Sequence, residues 1–104
     1  MQSTNNHENI ENRTVEIYSV RGTIVLKGAN GQDIPPAGIH SSEYNVGYGG
    51  SGPAELALAV TEELLGSRDG YQRVKWAIIA RIGRKHLPVR ITTSALVRAI
   101  KGGM

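Results

Sequence analysis

Gly47-Tyr48-Gly49-Gly50-Ser51-Gly52-Pro53 is the stretch of this chain whose residue types and spacing point to chemistry. Glycine adopts backbone angles closed to other residues, so such a loop curls tightly and turns its N–H groups outward. Proline suits the first position of a helix, and the Ala/Leu run from Ala54 to Val60 reads as that helix. Amides exposed above a helix start make a candidate anion site. The candidate ligand set is therefore the backbone of Gly49, Gly50 and Ser51 with the Ser51 hydroxyl. Tyr48 and Tyr44 flank it as rings able to stack on a nucleobase. A purely structural reading stands beside this one. The glycines would only let the loop pass close to a second helix or the sheet, and the tyrosines would be half-buried core residues. If Gly52 is the N-cap, Glu55 is the third helical residue, where its carboxylate completes a capping box and competes with any phosphate for the amides.

Other motifs fail on inspection. Gly47-x-Gly49-x-x-Gly52 fits the dinucleotide fingerprint, but the chain is too short for the usual βαβ pair and lacks the acidic strand end. Pro53 stands where a P-loop needs lysine, and the second glycine of an esterase elbow around Ser51 is also Pro53. His7, His40 and His86 are far apart and have no metal-ligand spacing. Glu62-Glu63 reads as a solvated helix end. No catalytic residue, metal ligand or cofactor is assigned, because nothing supplies nucleophile, base and orienting group together. The densest basic cluster is Arg81, Arg84, Lys85 and His86. With Arg90 it is a candidate surface for an anion or a partner, and Arg98 and Lys101 could join it in space.

Charge is divided along the chain. Residues 1–67 hold three bases and eight acids, whereas residues 68–104 hold nine bases and one acid, Asp69. That asymmetry suggests an anionic partner for the basic half, unless the acidic layer packs against it and neutralises it. The chain has no cysteine, which excludes disulfides and thiolate metal sites and makes a reducing cytoplasm the simplest setting. There is no signal-peptide pattern and no apolar run approaching the ~20 residues of a membrane helix.

The elements that must position these residues follow in order. Residues 1–12 read as a disordered or loosely held tail, and residues 13–104 as one domain. Arg13 to Val20 and Thr23 to Leu26 read as strands around an Arg21-Gly22 turn. Gln32 to Ile34 is a short third strand after the Asn30-Gly31 turn, ended by Pro35-Pro36. Helix one spans about Pro53 to Leu65, apolar almost all round and hence central, ended by Gly66. Helix two spans about Tyr71 to Ile82, with Trp76 expected in the core. Leu87 to Ile91 is extended and, if paired, an edge beside Pro88. Thr92 or Thr93 caps a last helix to Lys101. Strands followed by helices predict an α+β fold, a small antiparallel sheet packed against two to three helices. A helix-turn-helix would require Gln72, Arg73 and Lys75 to face bases while Tyr71 and Val74 are buried.

At Gly47 to Val60, and again at Tyr71-Gln72-Arg73-Val74-Lys75-Trp76, the chain resembles a family of small phage and prophage proteins classed as a domain of unknown function. Val74 stands where that family has an aromatic residue. The resemblance spans roughly residues 13–100. It implies a mobile-element origin and the host-cell cytoplasm, and it implies no activity. Together these readings predict a non-enzymatic binder of a phosphate-bearing ligand such as a nucleotide or nucleotide signal, in a version that counters host defence. The alternatives are an inhibitor that docks on an acidic protein surface and a nucleic-acid-binding accessory protein. A homo-oligomer is compatible with a chain this small, and no membrane partner is expected.

Overall fold

A computed structural model describes residues 12–102. The expected tail, residues 1–12, lies outside these except for Asn12. Strand β1 (Thr14–Val20) is the centre of a three-stranded antiparallel sheet, with β2 (Thr23–Lys27) on one edge and β3 (Val89–Thr92) on the other. Alternation dictates the buried face. Val15 and Ile17 of β1, Ile24 and Leu26 of β2, and Ile91 of β3 are buried, and the residues between them are not. The β1–β2 hairpin closes at Val20 opposite Thr23, leaving Arg21 and Gly22 as a two-residue turn with φ of 52° and 85°. Both angles are positive, as a hairpin turn matched to strand twist requires.

Helix α1 (Ser51–Leu65) runs through the middle of the molecule. Leu56, Ala57, Val60 and Leu64 join the sheet residues in one core, as an Ala/Leu helix apolar on most sides must. Each fully buried leucine or isoleucine contributes about 1.5–3 kcal/mol. Gly66 ends the helix in the left-handed conformation, φ 71°, its N–H donating to the Glu62 carbonyl. Helix α2 (Tyr71–Ala77) packs on α1, and α3 (Thr93–Gly102) packs on α2 and β3. The Thr92 hydroxyl accepts from the Ala95 amide at 3.1 Å, the expected N-cap of α3. The fold is α+β, as anticipated.

Four local expectations are corrected. Gln32–Ile34 pairs only through a single bridge, Lys27 with Asp33, so the third strand of the sheet is Val89–Thr92, on the other side of β1. The first helix starts at Ser51 with Gly50 as its N-cap, two residues earlier than Pro53. Helix α2 stops at Ala77. The backbone breaks at Ile78 (φ −123°, ψ −65°) into a single 3₁₀ turn, Ile79–Arg81, instead of continuing to Ile82. The break still leaves Ile79 and Ile82 in the core, so the apolar spacing continues while the helix does not. Trp76 is 57% exposed and is not a core residue.

Candidate functional site

Around the glycine loop, the three glycines are set by close packing. A side chain at Gly49 would run into the six-membered ring of Trp76, and one at Gly50 into the ring of Tyr48. A Cβ on Gly52 would come within 2.7 Å of Asn45 Cβ. The structural reading of these glycines is therefore part of the answer. It does not consume the amides. Among the described residues the N–H groups of Gly49, Gly50, Ser51 and Gly52 make no hydrogen bond, while Ala54 N–H already donates to the Gly50 carbonyl at 3.0 Å. Ser51 is exposed and Gly52 is buried.

Glu55 does not cap the helix. It is 1% exposed and points away from the loop. Its Oε2 accepts from Ala37 N–H (2.9 Å) and Gly38 N–H (3.0 Å), and its Oε1 from His40 N–H (2.6 Å) and Ser41 N–H (3.2 Å). Burial alone would push this carboxyl up; the amides of His40, Ser41, Gly38 and Ala37 outweigh it and hold the pKa below 4.5. The competitor that sequence placed among the loop amides is thus absent from them, because a helix starting at Ser51 puts Glu55 beyond the reach of a capping box.

Tyr44 is also relocated. It is 4% exposed, with its hydroxyl donating to the Ile34 carbonyl at 2.9 Å, so its ring offers no face to a ligand. Burial, then the charge of Glu55, raises its pKa above 10. Tyr48, by contrast, is 50% exposed beside the loop.

The basic cluster separates in space. Arg84 donates from Nη1 to the Gly22 carbonyl (3.0 Å) and from Nη2 to Asn45 Oδ1 (3.2 Å), joining the hairpin turn to the segment before the glycine loop. Lys85 is exposed on the next 3₁₀ turn (Arg84–His86), and Arg90 lies on β3 opposite Glu16 of β1. Arg81 reaches a cavity. That cavity is an open groove of about 640 Å³ between α2 and α3, lined by Gln72, Arg73, Trp76, Arg81 and Arg98 with small residues between them. Arg73 Nη1 donates to the Ile100 carbonyl at 3.3 Å. Among the described residues no acidic side chain lines the groove, and Arg73, Arg81 and Arg98 form no ion pair. Sequence reasoning did not assemble this set. The available signal was Gln72, Arg73 and Trp76, which share one face at helical spacing.

Trp76 joins the groove to the loop. One side of its indole meets Gly49, and Lys75 Nζ lies 4.5 Å from the ring centroid. Lys75 is itself buried, which removes it from any base-reading face and leaves the helix-turn-helix expectation without one of its three contacts. The arrangement offers a flat aromatic surface, three guanidinium groups of which Arg73 is held by the Ile100 carbonyl, and amides without a partner among the described residues. This is equipment for binding an anion with a planar group attached, and it contains no nucleophile with a base beside it.

Among the described residues there is no cluster of three or more His, Asp or Glu arranged for a metal, and no helix long and apolar enough to cross a membrane. Compared with family models, curated proteins and solved structures, the chain matches none.

Proposed function

We propose that this chain is a non-enzymatic binding protein for a phosphate-bearing ligand of nucleotide type, held in the α2/α3 groove with Trp76 against the base. The observation that carries the reading is the lining of the groove: an indole 57% exposed among three arginines, with no acid among the described residues. An exposed tryptophan presents a large apolar face that gains by being covered. Base–aromatic stacking is worth about 1–3 kcal/mol per base. Arg81 and Arg98 supply bidentate donors for phosphate oxygens. Tyr48 and the Gly49–Ser51 backbone extend the same surface on the far side of Trp76.

Trp76 is the single tryptophan of the chain, so its fluorescence reports this site alone. Titration with a panel of linear and cyclic nucleotides is expected to quench it saturably. Arg81→Ala and Arg98→Ala should each weaken binding roughly tenfold or more, the loss of one charged hydrogen-bonding group. A panel that neither quenches the indole nor raises the melting temperature overturns the proposal. The resemblance of the loop to small phage proteins suggests a setting, the host cytoplasm, and a purpose, capture of a nucleotide signal used in defence.

A second reading is favoured by the exposed pair Tyr48 and Trp76 beside arginines that form no ion pair among the described residues. Aromatic residues and arginine are the usual centre of protein interfaces. An acidic protein surface would then cover the groove. A stable protein partner retained when the nucleotide panel is silent would select this reading.

A further inference from the structure

The groove between α2 and α3 has two unlike ends. At one, the first turn of α2 lies against the last turn of α3. Arg73 Nη1 donates to the Ile100 carbonyl at 3.3 Å, and a Cβ on Gly70, the N-cap of α2, would meet the Ile100 side chain. Gln72 and Gly102 line this end. Gln72 stands four residues before Trp76, on the same helical face and one turn nearer the contact. Away from that contact along either chain, the lining passes to Trp76, to Arg98 one turn before Gly102, and to Arg81 in the 3₁₀ turn beyond α2. The ends differ in what they attract. The last four carbonyls of a helix have no partner within it and carry its negative pole. The Arg73 guanidinium is set against one of them. That end suits a group that donates hydrogen bonds and disfavours a phosphate. Arg81 and Arg98, which form no ion pair among the described residues, suit the phosphate. Beside the indole, the exposed Gln72 amide carries an acceptor and donors in one plane.

We infer that the groove has a direction: the ligand lies in it with an amino-bearing purine, adenine, at the Gln72 end and its phosphate at the Arg81 and Arg98 end, and Gln72 selects the base. This rests on the groove holding a nucleotide and names which one. With the base stacked on Trp76, the Gln72 amide is a helical turn away and meets its edge. Oε1 accepts from the exocyclic amino group and the NH₂ donates to N7, the bidentate pairing of glutamine with adenine. The second hydrogen of the amino group is turned towards the carbonyl end of α3. Guanine and hypoxanthine present two acceptors on the same edge, O6 and N7. The amide then satisfies one of them, and the other faces its own oxygen and the negative pole of the helix.

The test compares adenosine monophosphate with inosine monophosphate on the full chain, read by the fluorescence of Trp76. The two share sugar and phosphate and differ in the base, amino against carbonyl at the same ring carbon. Adenosine monophosphate is expected to bind roughly tenfold or more tighter. Gln72 is exposed on α2, so Gln72→Ala removes the amide and no core packing. It should abolish most of the preference and leave the affinity for inosine monophosphate within about twofold of the parent. Adenosine, which has no phosphate, reports the direction: it should lose affinity in Gln72→Ala and be indifferent to Arg81→Ala. Equal affinity for the two monophosphates, both dependent on Arg81 and Arg98, overturns the inference and leaves the groove reading standing. The comparison on the parent chain needs no variant to fold. A preference unchanged in Gln72→Ala, or adenosine weakened by Arg81→Ala, also overturns it. An indole that responds to neither monophosphate nor to any other nucleotide removes the groove reading and the inference together.

Discussion

Glu55 accepts four amides from residues 37–41 with its two oxygens, so the segment between Pro36 and Ser42 is organised around one buried carboxylate. Glutamine there must turn its NH₂ towards one of the two donor pairs. Glu55→Gln is therefore expected to cost about 2–3 kcal/mol in urea unfolding near pH ~7. The folded pKa is depressed below 4.5, so this stabilisation is present above that value and is lost as pH falls through the folded pKa. The parent should accordingly lose stability more steeply on acidification than the variant, and parallel pH profiles would disprove the assignment. Glu55 also shows why part of the site was illegible. A capping box is read from residues three apart. The partners Glu55 adopts are fourteen to eighteen residues away, and nothing in local spacing selects them. Trp76 was misplaced for a related reason. A tryptophan beside Val74 and Ile78 reads as core by composition, and only the packing of its ring edge on Gly49 leaves its face outside.

Period and punctuation made most elements readable. The Ala/Leu run of α1, the Gly66 stop, the β1 alternation and the Thr92 cap all act within a few residues of themselves, where sequence carries the whole cause. The end of α2 is different. Ile78, Ile79 and Ile82 keep an apolar spacing that suits a helix, and the 3₁₀ turn that replaces it still leaves Ile79 and Ile82 buried and Ile78 partly buried against the core. The sheet order is also non-local, since β3 follows β1 by more than sixty residues. Within the hairpin, Arg21 occupies a left-handed position at φ 52°, which suits asparagine or glycine better. Arg21→Asn should raise stability by about 0.5–1 kcal/mol, read as a higher urea midpoint at unchanged slope. An unchanged or lower midpoint would mean that the arginine side chain compensates its own backbone.

At the scale of the molecule, the basic half takes part in one ion pair among the described residues, Arg68–Glu62, while Lys27–Glu16 lies within the sheet. Binding of an anionic ligand should consequently weaken several-fold when ionic strength rises from about 0.05 M to about 0.3 M, as screening shortens from roughly 14 Å to 6 Å. Salt-independent affinity would assign the binding to apolar contact alone. One further arrangement spans the fold. Arg13 N–H donates to Thr93 Oγ1 (3.0 Å), Thr93 N–H donates back to the Arg13 carbonyl (2.9 Å), and the Arg13 guanidinium donates to the Glu63 carbonyl (2.6 Å) and the Leu64 carbonyl (3.2 Å) at the end of α1. Asn12 Oδ1 receives Ser94 at the start of α3. The opening strand and the closing helix are laced at a single knot, so neither frays without loosening the other. Deuterium uptake at Arg13 and Thr93 should slow together when a nucleotide occupies the groove, and a guest gripped by Arg98 would then be felt at the opposite end of the sequence.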